Sequence, residues 1–198
     1  MKTKYYFDSL PSGYAECYTI DAKKKSTAIL FSVLAFIIMI IIIIPIMVYA
    51  FSSDDYDGKI TLTILPVMLS VLGMIIYVVL HELTHGLFYK IFTHEKLTFG
   101  LTMTVAYCGV PNLYVKKWPA FLTTLAPFLI WNLIFGLPLF FVKGYQYILF
   151  FGLLFSMHVS GCIGDLIVGG LLLFKFRGSD YLINDTGPKQ TFYKRISE

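Results

Sequence analysis

Four long apolar stretches, separated by short polar ones, set the plan of the chain. The first, Ser26 to Phe51, has no charged residue and is longer than the about 20 residues a membrane span needs. The second begins near Ile60 and runs to about Phe92, with Pro66 as a candidate kink. The third covers Pro119 to Val142 and the fourth Tyr145 to Phe174. The pattern predicts helices over about 26–51, 60–92, 119–142 and 145–174. A short acidic loop, Ser52 to Lys59, carries Asp54, Asp55 and Asp57 between the first two. A mixed polar segment precedes the first helix, and a charged tail, 175–198, follows the last. No internal repeat is visible, and Ile37 to Ile44 is the single low-complexity tract. The polar lead-in and the length of the first run do not fit a cleavable signal peptide.

Residues 94–118 follow a different rhythm. Leu97, Phe99, Leu101, Met103, Val105 and Tyr107 alternate with Thr98, Gly100, Thr102, Thr104 and Ala106. Period two predicts a strand over this run. Cys108 to Asn112 reads as a turn, with Leu113 to Val115 returning. The expected fold class is an all-α polytopic membrane protein, with four transmembrane helices and a short β-hairpin insert after the second. One membrane-embedded domain, 1–198, is expected, because no polar linker is long enough to divide it.

Composition supports a membrane protein. Hydrophobic residues make up 57% of the chain, charged residues 14%, and mean hydropathy is +0.73. Soluble domains average about 25% charged. Cys17, Cys108 and Cys162 are far apart and lack CxxC spacing, which indicates neither a disulfide framework nor a cysteine zinc site. The net charge of +4 is distributed as membrane orientation requires, and nucleic acid is not an expected partner. With a cytoplasmic N-terminus, only Lys59 and Lys143 of the sixteen basic residues fall outside. That asymmetry puts both termini in the cytoplasm of a multi-pass cell-membrane protein.

Within the second apolar run stands His81-Glu82-Leu83-Thr84-His85, an HExxH motif. Residues four apart share a helix face, so two imidazoles can hold one zinc ion while the glutamate acts on water. Ionisable groups inside a membrane helix are costly and mark function. Glu82 is the candidate catalytic residue, and His81 and His85 are candidate zinc ligands. A catalytic zinc needs a third protein ligand. Asp165 is the acidic residue inside another apolar run, flanked by Gly161 and Gly164. Ile60 to His81 is 21 steps and Tyr145 to Asp165 is 20, so both lie about 30 Å down parallel helices. His158, seven residues before Asp165, is the other candidate ligand or an auxiliary group. Asn132 is a candidate for binding substrate or the oxyanion. His94, beside Glu95 and Lys96, reads as solvated.

On these residues the chain resembles intramembrane zinc metalloproteases of the site-2 protease type. The resemblance implies three core helices: one with HExxH, one opposite, and one supplying an aspartate. His81 and His85 match the histidine ligands, Glu82 the catalytic glutamate and Asp165 the aspartate. A strand-rich insert after the first core helix also fits. Such proteases carry an asparagine-proline stretch before Asp-Gly, whereas this chain has Ser160-Gly161-Cys162-Ile163-Gly164-Asp165-Leu166. That form, and the opening Leu10-Pro11-Ser12-Gly13-Tyr14, is similar to a small bacterial family of putative zincin peptidases. The resemblance implies a plasma-membrane zinc peptidase acting on membrane-embedded or membrane-adjacent protein segments, with lipid as surroundings. Two alternatives need no base at Glu82: a non-catalytic zinc-binding membrane protein, and an oligomeric ion or proton transporter.

Overall fold

The computed structural model describes residues 4–58, 64–102 and 105–196, with residues 64–67 described by backbone alone. Lys59, Ile60, Met103 and Thr104 lie outside the described residues, and so does the side chain of Pro66. Five α-helices are described: α1 Lys25–Phe51, α2 Ile64–Thr93, α3 Lys117–Gly136, α4 Tyr145–Gly161 and α5 Ile163–Gly170. A 3₁₀ turn, Leu137–Phe140, prolongs α3, and a π turn, Leu171–Lys175, prolongs α5. Three helices are long and apolar enough to cross a membrane, or four if the bent pair α4 and α5 is one span.

The predicted fourth helix is therefore broken. Gly161 and Gly164 lower helix propensity on either side of Cys162, whose ψ of 7° leaves the α-helical region. The result is a 45° bend between α4 and α5. Hydropathy averages over such a break, because Cys162 and Ile163 are as apolar as the helices they separate.

An all-α class with a small insert also needs correcting. Seven strands are described: β1 Tyr6–Phe7, β2 Tyr14–Asp21, β3 Thr98–Leu101, β4 Ala106–Gly109, β5 Tyr114–Lys116, β6 Tyr181–Asp185 and β7 Lys189–Arg195. Five form an antiparallel sheet in the order β1-β5-β6-β7-β2, and β3 pairs with β4. The polar lead-in and the charged tail, read from sequence as irregular, supply four of the five strands. Polar residues suit a strand with one wet face. In β6 and β7 the apolar Leu182, Ile183 and Phe192 are buried, at 0–2% exposure, and since Leu182 and Ile183 are consecutive, both faces of β6 are covered. The predicted eleven-residue strand is instead a hairpin. Thr102 closes its turn: its N–H bonds the Val105 carbonyl at 2.8 Å, and its hydroxyl accepts the Val105 N–H at 2.9 Å. Period-two alternation continues on both sides of that turn, which is why it reads as one strand.

The chain divides into two compact units. The first comprises Met1–Leu30, His81–Pro127 and Gly164–Glu198, and holds all the strands. Its core joins α2, α3 and α5 to both sheets through Tyr89, Cys108, Val115, Leu172 and Phe192. Burying such a side chain contributes about 1.5–3 kcal/mol. The second unit, Phe31–Leu80 and Phe128–Ile163, is helical. Tyr77, Phe135 and Leu154 form one of its small cores. Asp55, from the acidic loop, accepts the Tyr145 N–H at 3.1 Å and so caps the start of α4. Over its apolar window α1 buries nothing within the chain, the pattern of a helix that faces lipid.

Candidate metal centre

In α2, His81 and His85 stand one turn apart with ring centroids 5.0 Å from each other, and both are buried. Asp165 lies in the first turn of α5. Its Oδ2 is 3.2 Å from His81 Nε2 and its Oδ1 is 3.4 Å from His85 Nε2. All three ligating atoms lie within 4.8 Å of one another. The distances discriminate between two explanations. A charge-assisted N–H···O bond would be about 2.7–2.9 Å. Two ligands of a tetrahedral zinc, each about 2.0–2.1 Å from the ion, stand about 3.4 Å apart. The observed separations are long for the first value and close to the second. The donor set, two imidazoles and one carboxylate, leaves a fourth position for water, as a catalytic zinc requires. The residues therefore fit the metal that the sequence implies.

The partner of the other His85 nitrogen also fits. Nδ1 is 2.9 Å from the Thr123 carbonyl oxygen. A carbonyl only accepts, so Nδ1 carries the proton and the Nε2 lone pair is left toward Asp165. In a regular helix that carbonyl would accept the N–H of residue 127. Residue 127 is proline, inside α3, and has no N–H to give. Pro127 thus frees the acceptor that orients His85.

Glu82 is half-buried, and the backbone N–H of Cys108 in β4 is within electrostatic reach of its carboxyl. The Cys108 thiol is pushed up to about 12 by burial and by the charges of Glu82 and Asp185, so it stays protonated at neutral pH. Gly86, one turn beyond Glu82, makes this approach possible: a Cβ there would lie 2.8 Å from the Phe99 ring and 3.1 Å from Leu97. A side chain at position 86 would push the β3–β4 hairpin away from α2.

Of the residues singled out from sequence, the structure brings His81, His85 and Asp165 together, with Glu82 in the same turn of α2. His158 and Asn132 belong to the second unit. His158 is fully buried, with Nδ1 2.7 Å from the Tyr77 hydroxyl and its ring against Phe128 and Phe135. Asn132 donates to the Phe128 carbonyl of its own helix at 2.7 Å. His94 ends α2 in the left-handed region, with φ 58°, and is exposed. Sequence reasoning missed the Thr123 carbonyl, the Cys108 amide, Tyr89 and Asp185. Pro127 was the visible signal for the first of these.

No curated protein and no solved structure matches the chain. One family profile does, over residues 74–179, more than half of the chain and including every residue from His81 to Asp165 named above. Its description is "putative zincin peptidase", which agrees with the donor set and the intervening glutamate, and the chain belongs to that family.

Proposed function

We propose that the chain is an intramembrane zinc metalloprotease of the site-2 protease type, cleaving membrane-embedded or membrane-adjacent protein segments. The observation that carries this reading is the convergence of His81, His85 and Asp165 at ligand-to-ligand spacing, with Glu82 between the two histidines. These three side chains would hold zinc, with Asp165 supplying the anionic ligand. Bound zinc would polarise the scissile carbonyl and make water a nucleophile at neutral pH. Glu82 takes the proton of the attacking water and returns it to the leaving amine nitrogen. Its half-buried place keeps it in reach of water. The β4 strand beside Glu82 offers a sheet edge on which an extended substrate would lie.

The sheet supports the membrane arrangement. Hydrogen-bonded strands must share one side of a bilayer, because an open sheet does not survive in lipid. The pairs β1–β5, β5–β6 and β2–β7 therefore favour strands β1, β2, β6 and β7 and residues 114–116 on one side. That requires an even number of crossings in each intervening segment. Helices α1 and α2 provide two, and α3 with the bent α4–α5 pair provides two more. The basic residues favour the cytoplasm as the shared side.

Glu82→Gln tests the chemistry. It keeps size and hydrogen bonding but accepts no proton, so cleavage of a membrane-anchored substrate should fall by about 10²–10⁴-fold. Zinc content should stay at the parental level, because Glu82 is not a ligand. Parental cleavage by the variant would refute peptide hydrolysis at this site and favour the scaffold or transporter alternatives.

A further inference from the structure

Asp185 ends β6 and is 4% exposed. A carboxylate that deep needs partners. It has three donors. The Tyr89 hydroxyl, at 2.5 Å, and Gln190 Nε2, at 3.1 Å, donate to Oδ2, and the Gly187 N–H, at 2.8 Å, donates to Oδ1. Gly187 and Gln190 belong to the β6–β7 hairpin, so these two bonds shape its turn. Tyr89 does not. It stands on α2, four residues after His85, and is 2% exposed. The backbone of Asp185 makes a second link outside the hairpin, since its carbonyl accepts the Val110 N–H at 2.8 Å. Val110 is two residues past Cys108, whose amide is within electrostatic reach of the Glu82 carboxyl. Between them Gly109 passes so close that a Cβ would lie 2.8 Å from the Asp185 carbonyl oxygen. One residue ties α2 by its side chain and the end of β4 by its main chain.

We infer that Asp185 is a positioning residue: through it the C-terminal hairpin holds the end of β4 beside α2, at the turn that carries Glu82. The hairpin lies beyond residue 179, where the family match ends. The catalytic half of this inference rests on the peptidase reading; the mechanical half does not. Burial pushes the Asp185 carboxyl up to about 6, outweighing its three donors, so at neutral pH it is mostly ionised and can accept all three. Asp185→Asn sets an N–H₂ group against at least one of those donors. Tyr89→Phe is milder and removes only the bond between hairpin and helix.

The experiment uses the full chain in nanodiscs, with parent, Tyr89→Phe, Asp185→Asn and Glu82→Gln. Amide hydrogen exchange is read over residues 106–110, and cleavage of a membrane-anchored substrate is followed against pH. In Tyr89→Phe, exchange at Cys108 and Val110 should quicken about tenfold, the size of one lost hydrogen bond. Its kcat should fall by a similar factor with KM within about twofold, and the acid limb of the kcat profile should move. Asp185→Asn should show the same changes, larger. Parental exchange at Cys108 and Val110 in both variants would overturn the clamp. Faster exchange with unchanged kcat and acid limb would overturn the positioning role and leave a structural brace. If Glu82→Gln cleaves like the parent, the peptidase reading has failed, and the exchange result alone decides the clamp.

Discussion

In the second unit, Asn132 bonds the Phe128 carbonyl, Ser156 the Leu153 carbonyl and Ser160 the Met157 carbonyl, each within one turn of its own helix. In the first unit, His85 reaches 38 residues along the chain to Thr123 and Tyr89 reaches 96 to Asp185. Both solutions satisfy polar groups that burial would otherwise penalise. They have different consequences. A hydroxyl folded back on its own helix fixes nothing else, so that helix can slide or tilt against neighbours. A bond between distant segments fixes their separation. The second unit is built as an anchor, and the first as a fixture for a few side chains. The second unit also carries long-range links, Tyr77 with His158 and the Asp55 carboxylate with the Tyr145 N–H, so the contrast is one of degree.

The widest separation between the units should come from removing a ligand. Asp165→Ala should lose zinc and fall to background cleavage. His158→Ala should keep about one zinc per chain, measured by metal analysis of the purified protein. Zinc loss in the His158 variant with retention in the Asp165 variant would transfer the third ligand from one unit to the other.

The next effect is electrostatic. The folded pKa of Asp185, about 6, lies above its unfolded value near 3.8, because burial disfavours the charge. Between those values the folded state binds the extra proton. The stability it contributes is full below about pH 3.8 and is lost as pH rises through about 6, amounting to roughly 3 kcal/mol. Melting curves of parent and Asp185→Asn should therefore converge as pH rises from 4 to 6.5, as far as the parental slope is concerned. A parental slope retained in the variant would place the titrating group elsewhere.

A smaller effect is expected at Pro127. In Pro127→Ala the new N–H competes for the Thr123 carbonyl, and His85 loses its orienting acceptor. Zinc affinity should weaken by about 10–100-fold, while α3 itself gains a hydrogen bond. Unchanged affinity, measured by competition with a chelator, would mean that the Thr123 contact does not orient the ring. The smallest effect belongs to Asn132→Leu, whose amide serves only its own helix. Cleavage should remain within about twofold of parent, as for loss of a single local bond.

The same contrast explains what the sequence revealed. Helical spans were legible because hydropathy is a local sum: Lys25–Phe51 was read to within one residue. The HExxH spacing is local as well, and Asp165, the residue the depth count picked out, lies beside the two histidines. The five-stranded sheet was not legible. Its strands are two to eight residues long and paired across most of the chain, as Tyr14 with Arg195. Only the β6–β7 hairpin has both partners in one window; every other pair of this sheet joins distant segments. Asp185 and Tyr89 were invisible for the same reason. A lone carboxylate in a charged tail looks solvated until the strand that buries it is paired. The Thr123 carbonyl could have been anticipated, since a proline inside a helix always leaves the carbonyl four residues back without its usual donor.

The pairing of β2 with β7 has a consequence for how the chain is made. β2 ends at Asp21 and β7 begins at Lys189, with all the membrane helices between them. During synthesis the apolar helices are made in order, and the HExxH turn is complete long before the last strands leave the ribosome. The sheet stays open until then, because its third and fourth strands, β6 and β7, do not yet exist. A nascent chain would carry the histidines and the glutamate with no Asp165 to join them and no Asp185 to hold β4. Latency during biogenesis would then require no inhibitor or propeptide. It would follow from the order in which the segments are translated.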